Sequence, residues 1–357
     1  MEPTPDTARS LLYHSPWDEQ AVLGVLTLLA LAVVATAVVW QGSIWLESST
    51  DQLAVGYGVP PIVQGAVIAA AGSSTPELMS VLLATLVHGE FELGVGAIVG
   101  SAVFNLLVIP GLAALAGPKE MATTRDLVYK ESLFYMLAVA VLLLTFSLAV
   151  IYYPLAGEGL QGEVTRGLAL FPLSLYALYV FTQYLDATED ELQPDASVDR
   201  ASAWGWFGLG LVVIVIGVEG LVRAAIGLGD AFGTPAFLWG MTVVAAGSSV
   251  PDAFVSIVAA RSGRASVSLA NVLGSNIFDL LVAVPVGVLV AGALAITFAH
   301  IVPMMAFLVL ATVVFFAISR TGMLLSEREA WLLLGFYGVF VSWLVLESIG
   351  LVNVVPT

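Results

Sequence analysis

The hexapeptide Gly72-Ser73-Ser74-Thr75-Pro76-Glu77 interrupts an apolar run from Pro60 to Val87 and decides how the rest of the chain is read. A run of this length is about what a bilayer-spanning helix needs at ~1.5 Å of rise per residue. Its centre nevertheless holds a carboxylate and a helix breaker. Pro76 has no amide proton to give the carbonyl of Gly72, and its ring crowds that carbonyl, so the helix is predicted to break there. Unwound backbone at membrane depth persists only where it is buried in protein or lines a cavity, and a Glu inside a span marks a functional site. A proline-kinked packing helix carrying a protonated Glu would look the same if the motif stood alone.

It does not stand alone. Gly247-Ser248-Ser249-Val250-Pro251-Asp252 repeats the device at an offset of 175 residues (252 − 77), which also carries Pro60 onto Pro235 and Ala70 onto Ala245. Each copy is followed by a second motif of small residues, Gly100-Ser101-Ala102-Val103-Phe104-Asn105 and Gly274-Ser275-Asn276-Ile277-Phe278-Asp279, at an offset of 174 (279 − 105). Two halves with matching interrupted hydrophobic segments are the mark of a transporter built from repeats, with its site between the repeats near the midplane.

Composition agrees. Of 357 residues, 59% are hydrophobic and 11% charged, which reads as a polytopic membrane protein rather than a soluble domain. With no cysteine, disulfides, thiol catalysis and thiolate metal sites are excluded, and oxygen ligands are left as the plentiful ones. Acids outnumber bases 27 to 11, for a net charge of −16, which argues against nucleic acid as a partner and suggests a high-salt setting. The first twenty residues lack the basic stretch of a cleaved secretory signal and read as an exposed polar tail, 1–20.

Apolar segments run near 21–45, 60–87, 93–117, 128–152, 165–184, 203–228, 236–260, 266–293, 299–319 and 329–350. The expected fold is therefore an all-α polytopic membrane protein of about ten transmembrane helices in two inverted five-helix repeats, since an odd number of spans per half turns the second upside down. The expected repeats are 21–185 and 203–357, joined by an acidic linker at 186–202 that reads as solvated rather than calcium-sensing. Arg9, Arg166 and Arg223 fall on the side of the termini, against Lys119, Arg125, Lys130, Arg200, Arg261, Arg264, Arg320 and Arg328 on the other. That imbalance predicts both termini outside a cell membrane and the linker in the cytoplasm.

Ser73 and Glu77, Ser101 and Asn105, Ser248 and Asp252, and Ser275 and Asp279 are each four apart, so each pair shares one helix face. Three carboxylates, one carboxamide, hydroxyls and freed carbonyls make an oxygen-only set, which suits Ca²⁺ and Na⁺ and disfavours zinc, copper or iron. Gly94, Gly96, Gly100 and Gly274 are expected to let helices approach closely.

At these residues the chain is similar to the sodium/calcium exchangers of the calcium/cation antiporter superfamily, whose two signature repeats contain this Gly-Ser/Thr-Ser-x-Pro-Glu/Asp element. The stretches 60–111 and 235–287 look most like the potassium-dependent branch. The resemblance implies a sodium/calcium antiporter, not an enzyme, working without a cofactor in contact with lipid and inorganic cations and with no protein partner evident. It implies Glu77 and Asp252 as central calcium ligands, joined by carbonyls near Ser73 and Ser248. Ala70, Ser74, Ser101, Asn105, Ala245, Ser249, Ser275 and Asp279 would complete the sodium sites and a potassium site, if there is one. Both copies carry Ser where many members have Thr before the second Ser, and the large regulatory domain of animal relatives is absent.

Within the paired motifs Asp279 is the one place where the halves differ in charge, its repeat partner being Asn105. Three ionised carboxylates would be neutralised by three Na⁺, or by Ca²⁺ with one further monovalent cation, either K⁺ or a proton on Asp279. A calcium/proton antiporter is the nearer rival reading. An intramembrane aspartyl protease is the remote one, resting on Gly227-Leu228-Gly229-Asp230. Glu219 and Arg223 read as an interfacial pair, and His88, His300 and Glu47 as solvated or interfacial groups at helix ends.

Overall fold

The structure is a computed structural model that describes residues 19–59, 70–117, 121–122, 127–156, 160–185, 197–263, 265–348, 351–352 and 354–355. The N-terminal tail, Pro60 and most of the acidic linker lie outside the described residues. The first half comprises α1 (Glu19–Tyr57), α2 (Ala70–Ser73), α3 (Thr75–Leu86), α4 (Phe91–Ala116), α5 (Ser132–Tyr152, entered through a π-helical turn at Leu127–Glu131) and α6 (Arg166–Leu185). The second comprises α7 (Arg200–Phe232), α8 (Ala236–Trp239), a π-helical turn at Gly240–Val244, α9 (Ala245–Arg261), α10 (Ala265–Phe278), a second π-helical turn at Asp279–Ala283, α11 (Val284–Ala291), α12 (Phe298–Arg320) and α13 (Glu327–Ser348). Among the described residues nine helical spans are long and apolar enough to cross a membrane, and Thr75–Leu86 is a shorter apolar helix.

Burial separates a core from a periphery. In the spans Phe91–Ala116 and Leu269–Ala291, 78% and 83% of the most apolar window is buried, against 17% in α1 and in α6. The central helices therefore face protein on all sides, while Leu23, Val33, Val34, Trp331 and Leu332 present large apolar side chains outward, as lipid contact requires. At ~1.5 Å per residue, α1 with 39 residues and α7 with 33 run to about 58 and 50 Å, well beyond a ~30 Å hydrocarbon core. The apolar windows 21–45 and 203–228 understated both, because their polar ends stay helical.

The two long helices pack on each other along a seam of small residues whose contacts obey the repeat offset. A Cβ placed on Gly42 would fall 2.8 Å from Ile214, and one on Gly217 would fall 2.7 Å from Val39; both glycine and partner shift by 175 residues. As one helix climbs from Ala35 to Leu46 the other descends from Gly217 to Gly210, so the halves are inverted. Loops add a second sign of the same symmetry and a small departure from an all-α fold. Strand β1 (Met121–Ala122) pairs antiparallel with β4 (Leu324–Leu325), and β2 (Gln161–Val164) with β3 (Leu294–Thr297). Each ribbon joins a loop of one half to a loop of the other. Because α5 separates β1 from β2, the ribbons sit at opposite ends of the fold.

The first half breaks where the hexapeptide predicts, at Ser74 between α2 and α3, with Pro76 in the opening turn of α3. The second half does not. Pro251 lies inside α9, and the irregularity comes earlier, at Gly240–Val244. That π-helical turn is where backbones come closest. A Cβ on Gly100 would meet the Met241 carbonyl at 2.3 Å, one on Gly96 the Phe237 carbonyl at 2.6 Å, and one on Gly240 the Leu93 carbonyl at 2.4 Å. Gly94 likewise lies on Val81. For Gly274, expected to serve in the same way, the nearest neighbour among the described residues would be the Tyr179 hydroxyl at 3.8 Å; the repeat counterparts of Met241 and Ala245, Ala66 and Ala70, have side chains outside the described residues.

The two histidines are not solvated. His88 Nε2 lies 3.1 Å from Glu219, which also accepts from Arg223 Nε at 2.6 Å, so the expected Glu219–Arg223 pair has a third member that ties the end of α3 to α7. His300 Nδ1 lies 2.8 Å from Glu92, whose other oxygen accepts from the Thr297 amide, and its ring stacks on Phe237. Glu47 is not at a helix end but ten residues inside α1. Asp230 is exposed in the last turn of α7, next to the αL glycine Gly233 that ends the helix, which is no place for an intramembrane catalytic carboxyl.

Candidate cation site

The four motifs converge in the core. Ser74, Ser101, Asn105, Ser249, Ser275 and Asp279 are 0% exposed, Glu77, Asp252 and Ala245 1%, Ser248 2% and Ser73 5%. Ala70 opens α2, and its side chain lies outside the described residues.

Local chain geometry explains the placement. Ser74 is the N-cap of α3, yet its hydroxyl does not cap the helix as an N-cap side chain ordinarily does. It reaches across the repeat interface to Ser275, with the two hydroxyl oxygens 2.7 Å apart. The symmetry-related pair, Ser101 with Ser249, lies at 2.8 Å. The repeats are therefore joined at their first and second motifs by two equivalent hydroxyl pairs. Glu77 follows in the first turn of α3, where the amide ends of the helix favour a carboxylate. The hydroxyls of Ser248, Ser249 and Ser101 surround it. Asp252 accepts from Ser275 Oγ at 3.2 Å through one oxygen, and Ser248 turns back on the Ala245 carbonyl at 3.3 Å.

What remains is a set of buried acceptors with nothing to accept. Among the described residues no donor lies within hydrogen-bonding geometry of either carboxylate oxygen of Glu77, either of Asp279, Oδ1 of Asp252 or Oδ1 of Asn105, the nearby serine hydroxyls included. An ionised carboxylate buried without a partner costs several kcal/mol or more, so these groups require a cation or a proton. Among the described residues no three His, Cys, Asp or Glu side chains group tightly enough to enclose a single metal ion. A cation bound here would have to be shared between carboxylates and neutral oxygens from several helices, the hard-oxygen chemistry that suits Na⁺ and Ca²⁺.

One member of the site was not found by sequence reasoning. Asn276 is fully buried, accepts from Asn105 Nδ2 at 2.9 Å and donates to the Ala102 carbonyl at 3.3 Å. Its repeat partner is Ala102, so symmetry gives no hint of it. The second surprise is the register of Asp279. Pro110 lies five residues after Asn105 but Pro285 lies six after Asp279, and the π-helical turn Asp279–Ala283 takes up the additional residue. Such single wide turns recur at functional sites. Asn105, by contrast, sits in unbroken α4. The tyrosines Tyr135 and Tyr176 flank Asp279 from α5 and α6, and both phenolic oxygens are buried without partners.

An oxygen-lined, water-excluded site shared by two inverted repeats of membrane helices defines a membrane carrier of hard cations. The profile of the family "Sodium/calcium exchanger protein" matches residues 27–185 and 202–346, and the chain belongs to that family, which consists of transporters and not enzymes. Inner membrane protein YrbG of Escherichia coli is 28% identical over 270 residues, covering 70% of this chain and 78% of that protein. Sodium/calcium exchanger MaX1 of Methanosarcina acetivorans is 27% identical over 272 residues, covering 67% and 76%. The fold is that of the sodium-calcium exchanger NCX_Mj, with a TM-score of 0.61 over 89% of this chain and 98% of that one, at 22% identity. Likeness to the potassium-dependent branch is partial: sodium/potassium/calcium exchanger 4 of Mus musculus is 48% identical over 82 residues, 23% of this chain and 13% of that protein, and sodium/potassium/calcium exchanger Nckx30C of Drosophila melanogaster is 32% identical over 126 residues, 35% and 13%.

Proposed function

We propose that this chain exchanges Na⁺ for Ca²⁺ across a cell membrane by alternating access, and that the buried acceptors described above are its ion ligands. The observation that carries the reading is the set of unpartnered carboxylate oxygens of Glu77, Asp252 and Asp279 between two hydroxyl pairs that the repeat symmetry interchanges. Glu77 and Asp252, with backbone oxygens near Ser73 and Ser248, hold the divalent ion. Ala70, Ser74, Ser101, Asn105, Ala245, Ser249, Ser275 and Asp279 supply the monovalent positions, and Asn276 holds Asn105 in place. Family membership supports the sodium and calcium assignment.

The two halves, 21–185 and 203–357, offer two equivalent ways of closing around one site. The moving part is the α1–α7 pair, whose small-residue seam lets it shift as one body against the core of α4 and α9–α11. The excess of basic residues on the linker side supports termini outside and the 186–202 linker in the cytoplasm. Flux into proteoliposomes, with sodium, potassium and proton gradients set independently, tests the function. Sodium-driven calcium uptake that ignores a pH gradient is expected. Uptake driven by protons and indifferent to sodium would replace this reading with calcium/proton antiport.

A further inference from the structure

The repeat symmetry lets the two ends of the fold be compared position by position, and they differ. Helix α1 carries Thr36, Ser43, Glu47 and Thr50, spaced seven, four and three residues apart and so on one face. Contacts fix where that face points. The Thr36 hydroxyl lies 2.8 Å from where a Cβ on Gly247 would be, and the Thr50 hydroxyl 4.0 Å from one on Gly72. The stripe thus runs from one Gly-Ser-Ser motif to the other, with Ser43 and Glu47 between them.

These intervening groups are unpaired. Ser43 is 0% exposed and its hydroxyl has no partner. Glu47 is half-buried, and among the described residues it makes no hydrogen bond or ion pair. One turn beyond Asp252 on α9, Ser256 is also 0% exposed with an unpartnered hydroxyl. Glu47 lies within electrostatic reach of Asp252, and Asp51 stands near Glu47 one turn further along α1. At the other end of the fold, the offset of 175 that holds along the α1–α7 seam carries Thr36, Ser43, Glu47 and Thr50 onto Leu211, Val218, Val222 and Ala225, and Ser256 onto Val81. All five counterparts are apolar, and four of them, Val218, Val222, Ala225 and Val81, are 0% exposed.

We propose that Glu47, with Ser43 and Ser256, forms a staging site for Ca²⁺ on the side of the fold where α1 ends, through which the ion reaches Asp252, and that the opposite end has no such station. The proposal rests on the antiporter reading of the central site. A carboxylate unpaired among the described residues, one helical turn from the buried Ser43 hydroxyl, attracts a cation and offers it a replacement oxygen as it loses water, and Ser256, one turn from Asp252, offers the next. Because Coulomb attraction scales with ionic charge, removing the Glu47 charge weakens calcium more than sodium.

The test is exchange kinetics in vesicles of known orientation for the wild type, Glu47→Gln and Glu47→Asp. Glu47→Gln is expected to raise the half-saturating calcium concentration about tenfold, and that of sodium about threefold, on the α1 C-terminal face alone. A tenfold change for the divalent ion is about 1.4 kcal/mol, and half of that for a monovalent ion is about threefold. Glu47→Asp, which keeps the charge, should restore both values. Equal shifts on the two faces, equal shifts for the two ions, or no shift in a folded variant would overturn the staging site and leave the antiporter reading intact. A wild type that moves no calcium would overturn both.

Discussion

Alanine at Gly100 should cost the fold about 2 kcal/mol, because there is no room for a methyl where α4 meets the Gly240–Val244 turn. At Gly100 the added methyl would lie 2.3 Å from the Met241 carbonyl oxygen, 2.7 Å from its Cα and 2.8 Å from the Ala245 Cβ, all below the 3.0 Å that real Cβ atoms respect. The obstacles are largely backbone, so the helix must move. Overpacking of this kind costs ~1–3 kcal/mol, and backbone obstacles put it at the upper end. Alanine returns about 1 kcal/mol of helix propensity, leaving a net loss of about 2 kcal/mol. Thermal unfolding of the detergent-purified protein, followed by tryptophan fluorescence, should show Gly100→Ala melting several degrees below wild type. Exchange should fall as well, because Ser101 and Asn105 ride on the same helix. If the variant melts like wild type, the backbone contact between α4 and the Gly240–Val244 turn is wrong.

Asn276→Ala should leave the Asn105 amide without its 2.9 Å partner, costing about 1–3 kcal/mol of stability and weakening sodium activation more than maximal calcium flux; unaltered sodium dependence would remove Asn276 from the site. Asp279→Asn makes the paired motifs of the two halves equal in charge. If potassium is carried, the wild type needs it for calcium exchange and the variant does not, whereas a wild type that exchanges equally well without potassium excludes that coupling and leaves a proton on Asp279 as the neutralising charge.

Much of this architecture is legible in the chain because a membrane restricts the alternatives. Apolar runs must become spanning helices, and the paired Gly-Ser-Ser-x-Pro-acid motifs at a constant offset show where two such helices depart from regularity. The helix order, the inversion and the convergence of Glu77, Asp252 and Asp279 follow from those facts. Features that depend on one half alone did not follow. Asn276 is opposite an alanine in the other repeat, and the extra residue that widens the helix at Asp279 is a one-residue change in the spacing to Pro285. The break at Ser74 and the unbroken α9 come from nearly identical hexapeptides. No local pattern in the two hexapeptides separates them. Glu47 lay beyond the apolar window and looked like a helix-end residue until α1 proved to continue for another ten residues.

Glu77→Gln and Asp252→Asn, each reconstituted at matched protein content, provide the most direct measurement of whether the buried carboxylates hold the transported ion. Either change keeps the shape of the side chain and removes one full charge from a site where a divalent cation has no hydration to fall back on. Sodium-driven calcium uptake should be abolished in both variants, with the folded protein retained. Near-normal uptake in either one would contradict the assignment.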